Sequence, residues 1–503
     1  MKITHNYQPF LFIGFFILIS IYPIYQIINY GEFYFYQNAY DEYSYLAYNF
    51  AEHASEQGRF SSTIIVLLHN MGISGAIINL VFDLISLIFT YVFLSLILKK
   101  IFKNIDKNRI YFATLLIVFS PLLFNSANPV IAKLNSIFFS HDWIIYFITF
   151  AESIYLPIQR TPEPQFSILL LLAIVYLSIV LKRYWIPLLS IPFIYPFVAI
   201  PVLMMIGMYA VKKHFLKKRK FWQQLLISSV LIYIIVSVLL FFYFQFFMAD
   251  KSMLAETHLP IIGLSIIWSV TIIIICQYIF PKTNLSNDEW FFIISLMISS
   301  ILVLNTQIIS GYITQPNHFE QIISLYIPAL IFSIYYLRSK QDLNNILFVI
   351  IISALFLGIL GHLRYVYKTN DVTVKQFDRL LKNTELKTIL QTPTNITTGN
   401  YLLDSMITGF YNPKASMIMN YSNSYYGYFT KKYYCDYIAL KQKIRIEHGN
   451  VADIENSFSV LDNAYKYLNL DHVLLHMNRR SSKEFVFECG KEEIKQKFIY
   501  LRP

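Results

Sequence analysis

Several stretches of this chain run for 18 or more residues without a charged side chain. Such a stretch matches the thickness of a bilayer's hydrocarbon core. Inside that core every backbone N–H and C=O must find a partner within the chain, which favours helices packed as a bundle. Composition agrees: of 503 residues, 56% are apolar and 14% charged, against about 45–50% and about 25% in soluble domains. Cytosolic globular folds, disordered tails and collagen-like repeats are excluded. The expected fold class is an all-α polytopic membrane bundle.

The apolar runs place helices near 9–30, 76–98, 110–128, 166–181, 222–247, 259–280, 290–310, 322–337 and 346–363. Between Tyr184 and Val211 the run is broken by Pro187, Pro192, Pro196 and Pro201, and both flanks are basic (Lys182, Arg183; Lys212, Lys213). Proline removes a backbone donor and bends a helix. This stretch therefore predicts a hairpin of two short or kinked helices that enters and leaves on one side, for about 11 membrane segments in all. The stretch Pro9–Ile28 is too long for a secretory signal and no small-residue cleavage site follows, so it reads as a retained first span.

The net charge of +11 does not point to nucleic acid, because the basic residues sit in short clusters between apolar runs. They read as topology signals and contacts with anionic lipid headgroups. With the amino terminus in the cytoplasm, seventeen basic residues between Lys2 and Lys340 fall in inner connections. Only Arg59, Lys133, Arg160 and Lys251 fall in outer ones. That asymmetry predicts a cytoplasmic amino terminus; the expected location is a bacterial inner (plasma) membrane. From Arg364 to Pro503 there are 20 Lys+Arg and 14 Asp+Glu and no run long enough to span. The expected division is thus 1–363, a multi-pass membrane domain, and 364–503, an outward α/β or α+β soluble domain. Cys435 and Cys489 would meet an oxidising compartment there, where a disulfide and two free thiols are equally expected. No Cys or His spacing fits a zinc site.

The candidate chemistry lies in the outward loops. In QNAYDEYSYLAYNF, Gln37–Phe50, the pair Asp41 and Glu42 follows the first span. On a helix Asp41, Tyr45 and Tyr48 would share a face. An acidic pair at this depth suits a general base or a metal ligand. Equally, it suits a membrane boundary marked by an aromatic belt. In QRTPEPQFS, Gln159–Ser167, Pro162 and Pro164 stiffen a loop that holds Arg160 and Glu163. Arg160 offers a planar fork for a lipid phosphate, or a surface pair with Glu163 worth about 0–1 kcal/mol. In the short turn Thr314–Gln321, His318 and Glu320 lie between two spans. Imidazole there could ligate metal or, as imidazolium, steady a phosphate. Asp83 lies inside an apolar run at a cost of about 2.5–3.5 kcal/mol, so it is either paired within the bundle or near a wet cavity. His53, Glu56 and Arg59 suit the polar face of an interfacial helix, and His362 and Arg364 mark the end of the last span.

A first span, an outward loop opening on Asp41-Glu42, many further spans and an outward carboxy-terminal domain together resemble the GT-C glycosyltransferases. These membrane enzymes take a sugar from a polyprenyl-phosphate or polyprenyl-diphosphate carrier. The resemblance covers the layout of most of the chain, and its local motif is two residues long. It implies that Asp41 acts on the acceptor hydroxyl while Glu42 supports it or joins a divalent metal. Arg160 and His318 would then meet the donor phosphate, and the acceptor would be a glycan, a lipid or a protein. Two other classes remain. A polysaccharide polymerase or ligase would want more outward arginines. A lipid-linked glycan flippase would want ionisable residues along the spans and an internal repeat. Walker A, GxGxxG, HExxH and GxSxG motifs are missing.

Overall fold

A helix that is apolar on every side belongs in lipid or in the middle of a bundle, and this chain makes both kinds. The computed structural model describes residues 8–30, 60–73, 75–124, 128, 133, 148–149, 156–157, 164–243, 245, 254–256, 258, 260–314, 316–339, 341 and 343–381, together with strand residues 395–397, 416–417, 472–476, 483–489 and 492–501. The helices are α1 (Gln8–Tyr30), α2 (Phe60–Asn70), α3 (Gly75–Ile101), α4 (Lys107–Phe124), α5 (Gln165–Leu181), α6 (Pro196–Phe215), α7 (Phe221–Phe242), α8 (Leu264–Ile279), α9 (Asn287–Leu304), α10 (Gln307–Ser310), α11 (Pro316–Ile322), α12 (Ile327–Arg338) and α13 (Asn345–Leu381). Short 3-10 helices cover Ile186–Phe193 and Ser324–Tyr326. Four small strands, β1 (Ile148–Thr149), β2 (Leu254–Glu256), β3 (Ile262–Gly263) and β4 (Tyr312–Thr314), lie among them.

Among the described residues, seven helical stretches are long and apolar enough to cross a membrane: Ile77–Ile101, Lys107–Phe124, Pro196–Phe215, Phe221–Phe242, Asn287–Ser310, His318–Arg338 and Asn345–Arg364. Pro9–Ile21, Gln165–Leu181 and Leu264–Ile279 are shorter apolar helices. The chain divides into two units, Met1–Tyr22 with Phe82–Val366 and Pro23–Val81 with Tyr367–Pro503.

In the first unit α4 and α12 bury almost every side chain, whereas α7 leaves Leu226, Leu231, Ile234 and Leu239 exposed, as a lipid-facing helix would. Where α4 and α12 touch, Phe112 meets Tyr336 edge-on at 5.7 Å and Ser333 Oγ donates to the Ala113 carbonyl at 3.3 Å. Small residues at such a contact let two backbones approach without a water layer. Pro121 lies inside α4 and has no N–H for the carbonyl one turn back. Ser120 Oγ donates to that carbonyl, Ile117 O, at 3.0 Å instead.

One end of this unit is tied by basic residues. Arg109 is buried, donates to the Tyr336 carbonyl and sits over the Tyr336 ring at 4.5 Å. Arg338 pairs with Glu289 and covers the Phe102 ring at 4.9 Å, and Lys212 pairs with Asp288 at 2.6 Å. Asp288 and Glu289 belong to the first turn of α9, which Ser286 caps by accepting from Glu289 N at 3.3 Å. Acidic residues suit a helix amino terminus, which carries partial positive charge. The positively charged connections are therefore also the staples of this end.

Several spans read from the sequence are interrupted. The run 290–310 breaks at Asn305 between α9 and α10. The Asn305 side chain turns out to hold another segment, accepting from Ile261 N at 2.8 Å and donating to Ile261 O at 2.7 Å. The run 259–280 starts as a helix only at Leu264, because Ile262 and Gly263 are taken by a strand ladder. The proline-broken stretch resolves into the 3-10 helix Ile186–Phe193 followed by α6, with Pro196 in the first turn of α6, where a missing N–H costs nothing. The expected turn at 314–321 is in fact β4 followed by helix α11, which opens on Pro316. His362 and Arg364 lie at the end of the membrane-length stretch Asn345–Arg364, as expected, although the helix itself continues. His362 is fully buried within α13, which runs without a break across the composition change at 363/364 to Leu381.

The second unit contains α2 and a five-stranded sheet. Strands β5 (Asn395–Thr397), β6 (Ser416–Met417), β7 (His472–His476), β8 (Lys483–Cys489) and β9 (Glu492–Leu501) lie in the order β6-β5-β7-β9-β8. The β8–β9 pair is antiparallel, from Lys483 opposite Phe498 to Cys489 opposite Glu492, while β7 and β9 run parallel. Parallel neighbours need crossover connections, so this sheet is mixed. A Cys435–Cys489 disulfide lies outside the described residues.

Candidate functional site

At the end of the first unit away from the basic staples, three long connections meet. Residues from the connection before α5 form β1, which runs parallel to β3, with Ile148 opposite Ile262 and Thr149 opposite Gly263. Residues from the connection after α7 form β2, which pairs antiparallel with β4, with Ala255 opposite Ile313. Short ladders of this kind satisfy backbone groups that no helix holds. Two separate ladders, at 148–149 with 262–263 and at 254–256 with 312–314, thus join residues of the three connections.

Glu320 ties α11 to the start of α8. It stands on α11, fully buried, and its carboxylate lies on the amino end of α8. Ser265 N donates to Oε1 at 2.5 Å and Ser265 Oγ to Oε2 at 2.8 Å. A carboxylate at this place answers both the unmet N–H groups and the positive end of the helix dipole. Gly263 makes the approach possible. A methyl group there would sit 3.0 Å from Glu320 Cδ and from Leu304 Cδ1, and closer still to Oε2.

His318, two residues before Glu320 on α11, is partly exposed, with its ring 5.0 Å from that of Phe197. Phe319 packs on the same Phe197 ring at 4.7 Å. Phe197 belongs to the start of α6, so the His318 turn and the proline-broken stretch adjoin. The preceding residue but one, Tyr195, donates its N–H to Ser167 Oγ at 2.7 Å. Ser167 follows Gln165, whose Nε2 donates to Asp83 Oδ1 at 2.9 Å. Asp83 is fully buried and paired within the bundle, with Ser86 and Thr90 buried further along the same helix. A contiguous path of contacts therefore runs from Asp83 through Gln165, Ser167, Tyr195 and Phe197 to His318 and Glu320.

Of the residues named from the sequence, Asp83, His318 and Glu320 are placed by the structure, and its contacts link them. Asp41, Glu42, Tyr45, His53, Glu56, Arg59, Arg160 and Glu163 lie outside the described residues. Among the described residues no three His, Cys, Asp or Glu side chains gather to hold a metal ion. Cys276 is a buried free thiol in α8. Sequence reasoning missed Gln165, Asn305, Ser265 and Gly263. The polar run Asn305-Thr306-Gln307 inside an apolar stretch was the available signal for the second; Gln165 looked like the last residue of a loop. No protein-family model, no curated protein and no solved structure matches the chain.

Two predictions follow from these contacts. Gln165→Leu should cost about 1.5–3 kcal/mol, the worth of a hydrogen bond to a charged group, whereas adding Asp83→Leu should restore part of the loss. Unfolding in a graded detergent series gives the coupling, and strict additivity would mean the two side chains do not act as a pair. Separately, Glu320→Ala strands the Ser265 N–H and should cost about 1–3 kcal/mol. Glu320→Gln keeps an acceptor and should lie within about 1 kcal/mol of the parent. Equal melting temperatures for the two variants would show that the carboxylate does not hold α8.

Proposed function

We propose that this chain is an integral membrane glycosyltransferase that moves a sugar from a polyprenyl-(di)phosphate carrier to an envelope acceptor. The supporting observation is that two short ladders join residues of three connections at the end opposite the basic staples, since a lipid-borne donor needs its site where helices meet water. In this reading the seven membrane-length helices, the three shorter apolar helices and the 3-10 helix Ile186–Phe193 make eleven membrane segments. The amino terminus is then cytoplasmic, and residues 364–503 form an outward domain. Asp41 acts as general base on the acceptor hydroxyl, and Glu42 supports it or joins a divalent metal. Arg160 and His318 steady charge on the departing lipid phosphate. Tyr45 and Glu163 are further candidates for this chemistry, and Glu320 holds the start of α8.

Buried ionisable residues inside apolar helices, Asp83 and His362, favour a second reading as a lipid-linked glycan flippase. The two separate in one assay. The full-length protein, purified and returned to lipid vesicles with a labelled polyprenyl-phosphate sugar, should move label to a lipid or glycan acceptor. Label that crosses the bilayer still attached to its carrier would install the flippase in place of the transferase. Label that neither moves nor changes carrier, over a panel of sugars, would overturn both.

A further inference from the structure

The cations at the basic end are not equivalent. Arg109, Arg338 and Lys212 are committed to internal partners: a carbonyl, Glu289 and Asp288. Lys182, Arg183 and the run 217–220 (Lys-Lys-Arg-Lys) are exposed and, among the described residues, have no acidic partner. The two sets come together in space. Tyr184, next to Arg183, carries the Lys213 ammonium over its ring at 4.4 Å, hydrogen-bonds His214 and packs edge-on against Tyr209 at 5.5 Å. The connection after α5 is thereby fastened to the end of α6, just before the 217–220 run.

That run is also held in shape. Leu216 is buried, its carbonyl accepts from Gln224 Nε2 at 2.9 Å, and Arg219 N closes a turn on the same carbonyl at 3.0 Å. Its depth is fixed by its neighbours. Only a five-residue connection separates α6 from α7, both of membrane length, so its side chains lie at headgroup level. Phe215 is 82% and Trp222 69% exposed on either side, an arrangement that suits the boundary between acyl chains and headgroups. Lys182 adds a backbone argument. Its φ is 54°, in the left-handed region where glycine closes helices without steric cost. The exposed lysine there gains nothing from packing, so its charge is what the position offers.

We propose that Lys182, Arg183, Lys213 and the run 217–220 form one docking site for anionic phospholipid headgroups, distinct from the diffuse attraction of the other basic connections. The occupant follows from charge complementarity and depth: several phosphates in a plane, at the level where acyl chains begin.

The test uses the intact protein in phosphatidylcholine vesicles containing phosphatidylglycerol with brominated chains, which quench tryptophans they contact. The difference between the parent and Trp222→Phe isolates quenching at the site. Phosphatidylglycerol should be preferred there over brominated phosphatidylcholine by about fivefold or more, the gain expected for even one cation near an anionic surface. High salt should erase the preference, because the Debye length shrinks to about 3 Å at 1 M. Lys217→Gln/Lys218→Gln/Arg219→Gln should bring the preference close to one, while Lys99→Gln/Lys100→Gln/Lys103→Gln, with the same loss of charge elsewhere, should leave it unchanged. Equal losses in the two triple variants would reduce the effect to bulk charge and overturn the proposal. If the first triple variant fails to fold, the parent protein still decides. A Trp222 signal indifferent to headgroup or to salt would sink the idea.

Discussion

Gly358→Val should leave little folded protein. Gly358 lies in α13 where that helix crosses the end of α4. A β-carbon there would sit 2.9 Å from the Leu122 carbonyl carbon, nearer still to the carbonyl oxygen, and 3.4 Å from Asn128 Nδ2. The obstacle is backbone, which cannot change rotamer to make room. Asn128 also braces the junction, donating to Leu122 O at 3.3 Å and to Ala354 O at 3.2 Å. Any outward shift of α13 therefore breaks interhelical hydrogen bonds that lipid cannot replace. Overpacking a close contact costs about 1–3 kcal/mol, occasionally more. Gly358→Ala should fall in that range and Gly358→Val beyond it. The yield of monodisperse protein and its melting temperature in detergent measure the series. A valine variant that melts with the parent would mean that α13 and α4 do not approach this closely at Gly358.

Membrane helices were the readable part of this chain, because lipid asks only for length and apolarity, and both are local. Six of the nine apolar runs appear as helices of membrane length, and a seventh, Pro196–Phe215, comes from the proline-broken stretch; there Pro187 and Pro192 lie in the 3-10 helix, while Pro196 and Pro201 lie inside the regular α-helix. What stayed hidden depends on partners far along the chain. Asp83 announced a need for a donor, yet its donor, Gln165, is 82 residues away and was indistinguishable from a loop residue. Glu320 was legible as an ionisable side chain near a membrane boundary. Its engagement with the start of α8 was not, since that depends on Ser265 and on the missing side chain of Gly263. The breaks at Asn305 and Gly263 were also hidden: there the Asn305 side chain binds Ile261 and the Ile262–Gly263 backbone pairs with Ile148–Thr149, contacts with distant segments rather than local propensity. Charge told a half-truth. Basic residues of separate connections gather at one end of the first unit, while the division between Arg109, Lys212 and Arg338, which staple that end, and the cations with no acidic partner among the described residues is set by tertiary contacts.

Asp41→Asn should lower the rate of sugar transfer by about 10²–10⁴-fold, the usual contribution of a positioned general base. The substitution keeps the shape of the side chain and removes only its capacity to take a proton, so stability and carrier binding should stay as in the parent. Arg160→Ala tests the other half of the proposed reaction. A guanidinium that grips the donor phosphate in both ground and transition states would raise KM for the carrier-linked sugar and leave kcat nearly unchanged. One that acts mainly on charge developing as the phosphate departs would lower kcat instead. The two outcomes distinguish binding from catalysis, and either retains the phosphate as the target. An Arg160→Ala effect confined to KM for the acceptor would move Arg160 to the acceptor side. Asp41 is the sharper probe. Retained transfer in the Asn variant, with the protein otherwise intact, would show that proton removal from the acceptor belongs to another group. The next carboxylate to examine would then be Glu42. Asp83 is already paired with Gln165 and Glu320 with Ser265 inside the bundle, and a carboxylate committed to such partners is poorly placed to accept a proton from a substrate in the water layer.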